Sequence, residues 1–292
     1  MNERYVIHVT KLCNLDCKYC YESDTTSTYT TDEIIDFCHN IVINNKDKEF
    51  GIEFLGGEPM LGWNNIVAAY NYLEKFNKIT DYVITTNGTI LTDEQLEFFK
   101  RNTKIYYAVS MDGVKWANQF RVFKNSGINS YETVVNNLKK FLKEIGPQRC
   151  SVHIVAHHYN VANLYDSIMY LYNLGIKNIG IGTIESTRQI DRAYCDRFIS
   201  ELNKVSKEIV NNNLDLYVDV LESLKPKSDT RIYIKDNNGR VLGESYGRSH
   251  NDITEQDTYN SIKTTSPVEE TIYTIRLLVY SNHQILRGKN GR

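Results

Sequence analysis

Residues 51–88, GIEFLGGEPMLGWNNIVAAYNYLEKFNKITDYVITTNG, read in order as strand, turn, helix, strand and turn. Gly51–Leu55 (GIEFL) and Asp81–Thr86 (DYVITT) are short runs rich in β-branched and aromatic residues, the composition of strands. Between them, apolar residues recur at helical spacing from about Asn64 to Phe76. Each strand runs into a glycine-bearing turn, Gly56-Gly57 after the first and Asn87-Gly88 after the second. A strand–helix–strand unit of this length makes a parallel pair with a right-handed crossover.

The same alternation continues outward in both directions. Upstream, Tyr5–Thr10 (YVIHVT) is a strand and Thr31–Asn44 a helix, with Thr31 or Asp32 expected as its cap. Downstream, Thr92–Lys100 is a helix opened by TDEQ, a capping-box pattern. Lys104–Ser110 (KIYYAVS) precedes a helix at Tyr131–Glu144, and Cys150–Ala156 (CSVHIVA) precedes one at Ala162–Leu174. Lys177–Thr183 (KNIGIGT) leads to a long helix from Asp191 to about Asn211. Six βα units in a row predict an α/β fold, a partial (β/α)6 barrel. The tail differs. Thr230–Glu244 (TRIYIKDNNGRVLGE) reads as a hairpin turning at Asn237–Gly239, and Thr271–Leu286 (TIYTIRLLVYSNHQIL) as a second, turning at Ser281–His283. The polar stretch Ser245–Ser266 between them reads as a loop. A boundary is placed at 214–228, giving a barrel over residues 1–213 and a small, mostly β region over 214–292, expected to close the barrel's mouth.

Bulk properties narrow the function. The 292 residues carry 34 basic and 36 acidic side chains, and 41% are hydrophobic, as in soluble globular proteins. A formal net charge of -2 with no long basic run gives no reason to expect nucleic acid as the main partner. No apolar stretch approaches the roughly 18 residues of a membrane span, and no apolar h-region precedes the first strand, so neither a membrane anchor nor a signal peptide is expected. The expected location is the cytoplasm. Three of the six cysteines fall within eight residues and the rest are scattered, a distribution that favours a metal site over a disulfide framework.

That cluster is KLCNLDCKYCYE, Lys11–Glu22, on the loop after the first strand. Cys13, Cys17 and Cys20 follow CxxxCxxC spacing, and thiolates are the soft ligands that iron–sulfur clusters require. Three ligands on a four-iron cubane leave one iron open to bind something else. A structural zinc site is the other reading; it needs a fourth Cys or His at ligand spacing, and His8 lies on the preceding strand.

CxxxCxxC with an aromatic residue, Tyr19, just before the third cysteine resembles the signature of the radical S-adenosylmethionine (radical SAM) superfamily. The resemblance implies one 4Fe-4S cluster on Cys13, Cys17 and Cys20, whose open iron chelates the amino and carboxylate groups of SAM. Reductive cleavage of SAM then gives a 5′-deoxyadenosyl radical that abstracts hydrogen from a substrate. Three further motifs fall where the family puts them, each ending a successive strand. Gly56-Gly57-Glu58-Pro59 is similar to the GGEP turn that contacts the SAM amino group; glycines let the backbone come close, and a carboxylate accepts from an ammonium. Thr86-Asn87-Gly88 looks like the family's TNG. Ser110-Met111-Asp112-Gly113 matches its SxDG, whose serine or aspartate meets the SAM ribose or carboxylate, and Arg121 aligns loosely with an arginine that often follows.

The whole pattern is most similar to the branch that modifies peptides and proteins, which includes sulfatase-maturating enzymes and maturases of ribosomally made peptides. It implies a peptide substrate, an epimerisation, crosslink or oxidation, and a reductant such as flavodoxin or ferredoxin. Many members carry a cysteine-rich SPASM or twitch extension with auxiliary clusters. Here no cysteine follows Cys195, so no auxiliary cluster is expected, and Thr230–Glu244 has the shape of the hairpin that opens such extensions without its ligands. The alternatives are a radical SAM enzyme acting on a small metabolite and a non-catalytic iron–sulfur protein. Cys195, in the helix after the sixth strand, is a candidate hydrogen-atom donor, or else a buried structural thiol; Cys38 and Cys150 read as packing. His157 and His158 after the fifth strand and Glu185 after the sixth are candidates for lining the pocket or moving a proton.

Overall fold

The computed structural model of the protein describes residues 3–22, 24–183, 191–222, 231–235, 241–246, 279–280, 283–284 and 286–287. Its six expected units are present: β1 (Glu3–Thr10) and α1 (Thr31–Asn44), β2 (Phe50–Gly56) and α2 (Trp63–Leu73), β3 (Ile79–Thr86) and α3 (Asp93–Arg101). They continue as β4 (Ile105–Ser110) and α4 (Tyr131–Glu144), β5 (Cys150–Ala156) and α5 (Leu164–Leu174), β6 (Asn178–Thr183) and α6 (Arg192–Asn212). Two short elements follow that sequence reasoning missed, β7 (Tyr217–Val218) and α7 (Asp219–Glu222). The strands lie in the order β7-β6-β5-β4-β3-β2-β1, all parallel. This is a parallel α/β sheet that does not close into a full barrel, since β7 ends one side of the sheet.

Period-two burial separates the two faces of the sheet. On β5, Cys150, Val152, Ile154 and Ala156 are buried in the core under the helices, while Ser151, His153 and Val155 project from the opposite, inner face. The core is heavily aromatic. Tyr107 stacks on Phe141 with ring centroids 4.6 Å apart, and Phe99 meets both edge-on, which locks α3 and α4 onto β4. Burying such rings contributes about 2–3 kcal/mol each.

Local signals set the helix starts. Thr92 and Gln95 form the expected capping box on α3. On α1 the cap is Thr30, boxed with Glu33, and not Thr31 or Asp32, because only Thr30 has the extended backbone that lets its hydroxyl reach the third helical N–H. α6 starts at Asp191, whose carboxylate accepts from Tyr194 N at 2.7 Å.

The first tail hairpin forms as β8 (Arg231–Lys235) and β9 (Val241–Tyr246); its turn at Asn237–Gly239 lies outside the described residues. β9 pairs antiparallel with β1, so the hairpin continues the same nine-stranded sheet. The second hairpin is corrected over its described part; its first arm, residues 271–278, and positions 281–282 of its turn lie outside the described residues. Val279, Tyr280, His283, Gln284, Leu286 and Arg287 are helical. Val279 and His283, four residues apart, are both 0% exposed, and burial at helical spacing against α6 outweighs the β-branched composition. His283 Nδ1 shares a 2.8 Å hydrogen bond with Ser206 Oγ of α6. Its Nε2 lies 3.3 Å from Glu222 Oε1, outside hydrogen-bond alignment, and Arg287 Nη2 reaches that same carboxylate oxygen at 2.8 Å. The order of contacts is that of a nucleophile triad, yet Ser206 is 0% exposed, so the group latches the tail residues to α6 and α7 and presents no nucleophile.

Candidate functional site

Parallel strands bring the loops after β1, β2, β3 and β4 to one edge of the sheet, where all four motifs meet. The cysteine loop is pinned on one side by the segment after β4. Asp16 N donates to Val122 O at 2.8 Å, Lys18 N to Phe120 O at 3.2 Å and Lys124 N to Asn14 O at 3.0 Å. On the other side it rests on the GGEP turn. Gly57 N donates to Thr10 O and Glu58 N to Leu12 O, at 3.1 and 2.7 Å. A Cβ on Gly56 would stand 2.0 Å from Thr10 O, and one on Gly57 2.3 Å from Lys11 O. The two glycines therefore let backbone approach backbone beneath the cysteine loop.

Glu58 is fully buried, and its carboxylate accepts from Thr86 Oγ1 at 2.6 Å, Asn87 N at 2.7 Å and Met60 N at 3.0 Å. Through Glu58 the GGEP and TNG turns become one unit. Burial pushes this carboxyl up to about 7 against the pull of those three donors. Pro59 follows as the first residue of a short 3-10 turn that Glu58 caps. Asn87 Nδ2 donates to Asn14 Oδ1 at 2.8 Å and approaches Cys13 Sγ at 3.9 Å, and Asn14 in turn donates to Thr89 Oγ1 at 2.9 Å. Asn14 and Thr89 were not singled out from the sequence; only their adjacency to motif residues pointed to them.

Asp112 is the second hub. Arg121 grips it at both oxygens, Nε to Oδ2 at 3.0 Å and Nη2 to Oδ1 at 3.1 Å. Val155 N donates to Oδ1 at 3.0 Å, and the Tyr19 hydroxyl donates to Oδ2. The Arg121 guanidinium also lies 5.2 Å from the Tyr19 ring centroid. Asp112 is 0% exposed with four donors on its two oxygens, so its geometry ties Tyr19 and the cysteine loop to β4 and β5. Ser110, at the end of β4, has no side-chain hydrogen bond among the described residues and faces the inner side.

The thiols fit the cluster that the motif implies. Cys13 Sγ accepts from Leu15 N at 3.4 Å, an amide donor of the kind that stabilises a metal-bound thiolate. Burial pushes the Cys17 thiol up to about 11 with Arg121 as the chief opposing charge, and burial also raises Cys13. Such thiols stay protonated until a strong cationic centre takes the proton's place. Among the described residues no three His, Cys, Asp or Glu side chains are set to hold a single ion. A cubane bonds each cysteine to a different iron and spaces its ligands more widely than one ion does.

A family model, the radical SAM superfamily, matches residues 7–171, more than half of the chain and every motif above. The chain belongs to the radical SAM superfamily. Members of this superfamily use a 4Fe-4S cluster and SAM. Among characterised and uncharacterised relatives, the chain is 26% identical over 245 residues to an uncharacterized protein of Methanocaldococcus jannaschii, covering 81% of this chain and 79% of that one. It is 27% identical over 154 residues to the radical SAM cyclopropyl synthase TigE of Paramaledivibacter caminithermalis, 47% of this chain and 32% of that one. It is 26% identical over 175 residues to a GTP 3′,8-cyclase of Clostridium perfringens, 59% of this chain and 51% of that one. The chain thus spans about a third and a half of these two relatives with named activities. Its fold is that of anSMEcpe, solved with bound AdoMet and the Kp18Cys peptide, at a TM-score of 0.67, 19% identity and 76% and 64% coverage.

The remaining candidates divide. His157 is buried against Tyr19 and Phe120, with ring centroids 5.5 and 5.1 Å away, and burial lowers its proton affinity. Its Nδ1 accepts from Tyr159 N at 3.2 Å. His157 is therefore no exposed base, while His158, half-buried, packs edge-on against Tyr194, whose hydroxyl donates to Ala156 O. Cys195 is half-buried in the first turn of α6, beside Tyr194 and at the motif-bearing end of the sheet. Cys38 and Cys150 are buried core, as expected. Glu185 lies outside the described residues. No helix among them is long and apolar enough to cross a membrane.

Proposed function

We propose that this chain cleaves SAM reductively and uses the resulting radical to modify a peptide by hydrogen abstraction. The observation that carries the reading is the convergence of the Cys13–Cys20 loop, the Glu58 hub and the Asp112 hub at one edge of the sheet. Cys13, Cys17 and Cys20 would hold the cluster. Gly56, Gly57, Pro59 and Asn87 would shape the floor under SAM, with Glu58 setting the turn that faces its amino group. Ser110 would meet the ribose or carboxylate. Bound there, the cluster and SAM supply a 5′-deoxyadenosyl radical. The chain's own contribution is positional: Arg121 and Asp112 hold Tyr19 against the cysteine loop, and buried amides orient the thiols.

A peptide substrate is supported by the motif pattern and by the fold shared with a peptide-bound enzyme. Epimerisation, crosslinking and oxidation all begin with one hydrogen abstraction; the last two also need one further electron to leave the product radical, and for epimerisation Cys195 is the candidate donor that returns a hydrogen atom. The reading includes a cytoplasmic protein, one cluster, a flavodoxin or ferredoxin type of reductant, no nucleic-acid or membrane partner, and a 214–292 region that works without metal. A second reading, a small-molecule substrate, rests on the likeness to a GTP 3′,8-cyclase. Incubating the reduced, SAM-loaded protein with candidate peptides and with GTP separates the two. A mass or chirality change on a peptide supports the first reading, and consumption of GTP alone replaces it with the second.

A further inference from the structure

The inner face of the sheet carries a feature that no motif describes. His153 of β5 is exposed on that face, level in register with Ser110 of β4 on one side and Gly180 of β6 on the other. Neighbouring strands lie about 4.8 Å apart, so the imidazole stands next to the Ser110 position on this face. A Cβ on Gly180 would lie 3.3 Å from the ring's Cδ2 and Nε2, so the ring occupies the space a side chain at 180 would fill. At Gly182, two residues on, a Cβ would meet nothing nearer than Ile154 O at 4.0 Å among the described residues. β6 therefore offers bare main chain beside an imidazole that has no hydrogen bond among the described residues, the arrangement in which a ligand approaches a strand closely.

The charge of this surface selects the ligand. On the inner face of β4 to β6 the side chains are Tyr106, Ala108, Ser110, Ser151, His153, Val155 and Asn178, with no lysine or arginine. Across the sheet, Arg4 is already ion-paired with Asp81, and Glu53 accepts from Thr85 Oγ1 at 2.6 Å. A polyphosphate needs cationic partners, and an amide needs only a donor and an acceptor.

We propose that His153 and the bare main chain at Gly182, beside the Ser110 position, form the substrate wall of this chain, and that it takes an uncharged, amide-bearing segment of the peptide-backbone type, hydrogen-bonded by His153. This deepens the reading above and rests on it. The test uses the cluster-reconstituted protein, carbethoxylation of His153 by diethyl pyrocarbonate followed by peptide mass mapping, and two probes, N-acetyl-glycyl-alanyl-glycine amide and inorganic tripolyphosphate. His153 should react readily, and the peptide should slow it about tenfold at roughly ten times its dissociation constant. Tripolyphosphate should leave the rate unchanged, and Gly182→Leu, or the milder Gly182→Ala, should weaken the peptide's protection. An unreactive His153, no slowing up to the peptide's solubility limit, or slowing by tripolyphosphate alone would overturn the proposal. SAM binding by the wild-type protein, measured alongside, separates the failures. If SAM binds and the peptide does not protect, this inference alone falls; if SAM does not bind, the reading beneath it falls too.

Discussion

Two buried carboxylates, Glu58 and Asp112, organise the site, and they do it differently. Asp112 is paired. Its exchange to Asn removes the charge that faces the fully buried Arg121 and turns one acceptor into a donor, so Asp112→Asn should cost about 3 kcal/mol or more, read as a lower urea midpoint. Glu58 has hydrogen bonds but no cationic partner among the described residues. Its folded value of about 7 stands above the ordinary 4.5, so the neutral form is the one the fold favours. Stability from this group is complete below the unfolded value and is lost as pH rises through the folded one. Wild-type stability should therefore fall between about pH 4.5 and 7, by up to roughly 3 kcal/mol, while Glu58→Gln starts lower and stays flat. A urea series across that window checks it, and a wild-type curve rising with pH would reverse the assignment. Both carboxylates were legible in the sequence from GGEP and SxDG. Their burial and partners were not, because Thr86, Asn87 and Arg121 reach them only once the strands are laid side by side.

At the scale of elements, the strand exits matter most. Gly57 has no room for a Cβ, since the carbonyls of Lys11 and Leu12 stand 2.3 and 2.5 Å from that position. Gly57→Ala should displace the cysteine loop and lower retained iron severalfold, with far-UV circular dichroism little changed; full iron retention would show that the loop yields. The six βα units were readable because each pairs a β-branched run with a helix of several turns, signals that need no tertiary help. β7 has two residues and α7 four, too short for any period to register. The tail helix was misread for another reason. TIYTIRLLVYSNHQIL is β-rich in composition, and what holds Val279 and His283 in a helix is burial against α6, a contact absent from the local sequence. His153 was passed over because a strand histidine between apolar residues carries no motif.

Across the whole molecule, the sheet is extended at one side by the β8–β9 hairpin on β1 and flanked at the other by the Ser206–His283–Glu222 latch. Ser206→Ala should leave the buried imidazole without its Nδ1 partner, costing about 1–2 kcal/mol. Amide hydrogen exchange should then quicken at Val279, Tyr280, His283 and Gln284 while β2 to β4 stay protected; uniform quickening would mean that the tail and the barrel unfold as one. The latch lies far along α6 from the motif-bearing edge, so the same variant should retain its cluster.

The central claim is that Cys13, Cys17 and Cys20 hold a cluster that cleaves SAM. The most direct test is anaerobic reconstitution with iron and sulfide, reduction, addition of SAM, and quantification of 5′-deoxyadenosine by mass spectrometry for the wild-type protein and Cys17→Ala. The account predicts 5′-deoxyadenosine from the wild type, and loss of both bound iron and product in the variant. Equal iron and equal product in the two proteins would contradict it.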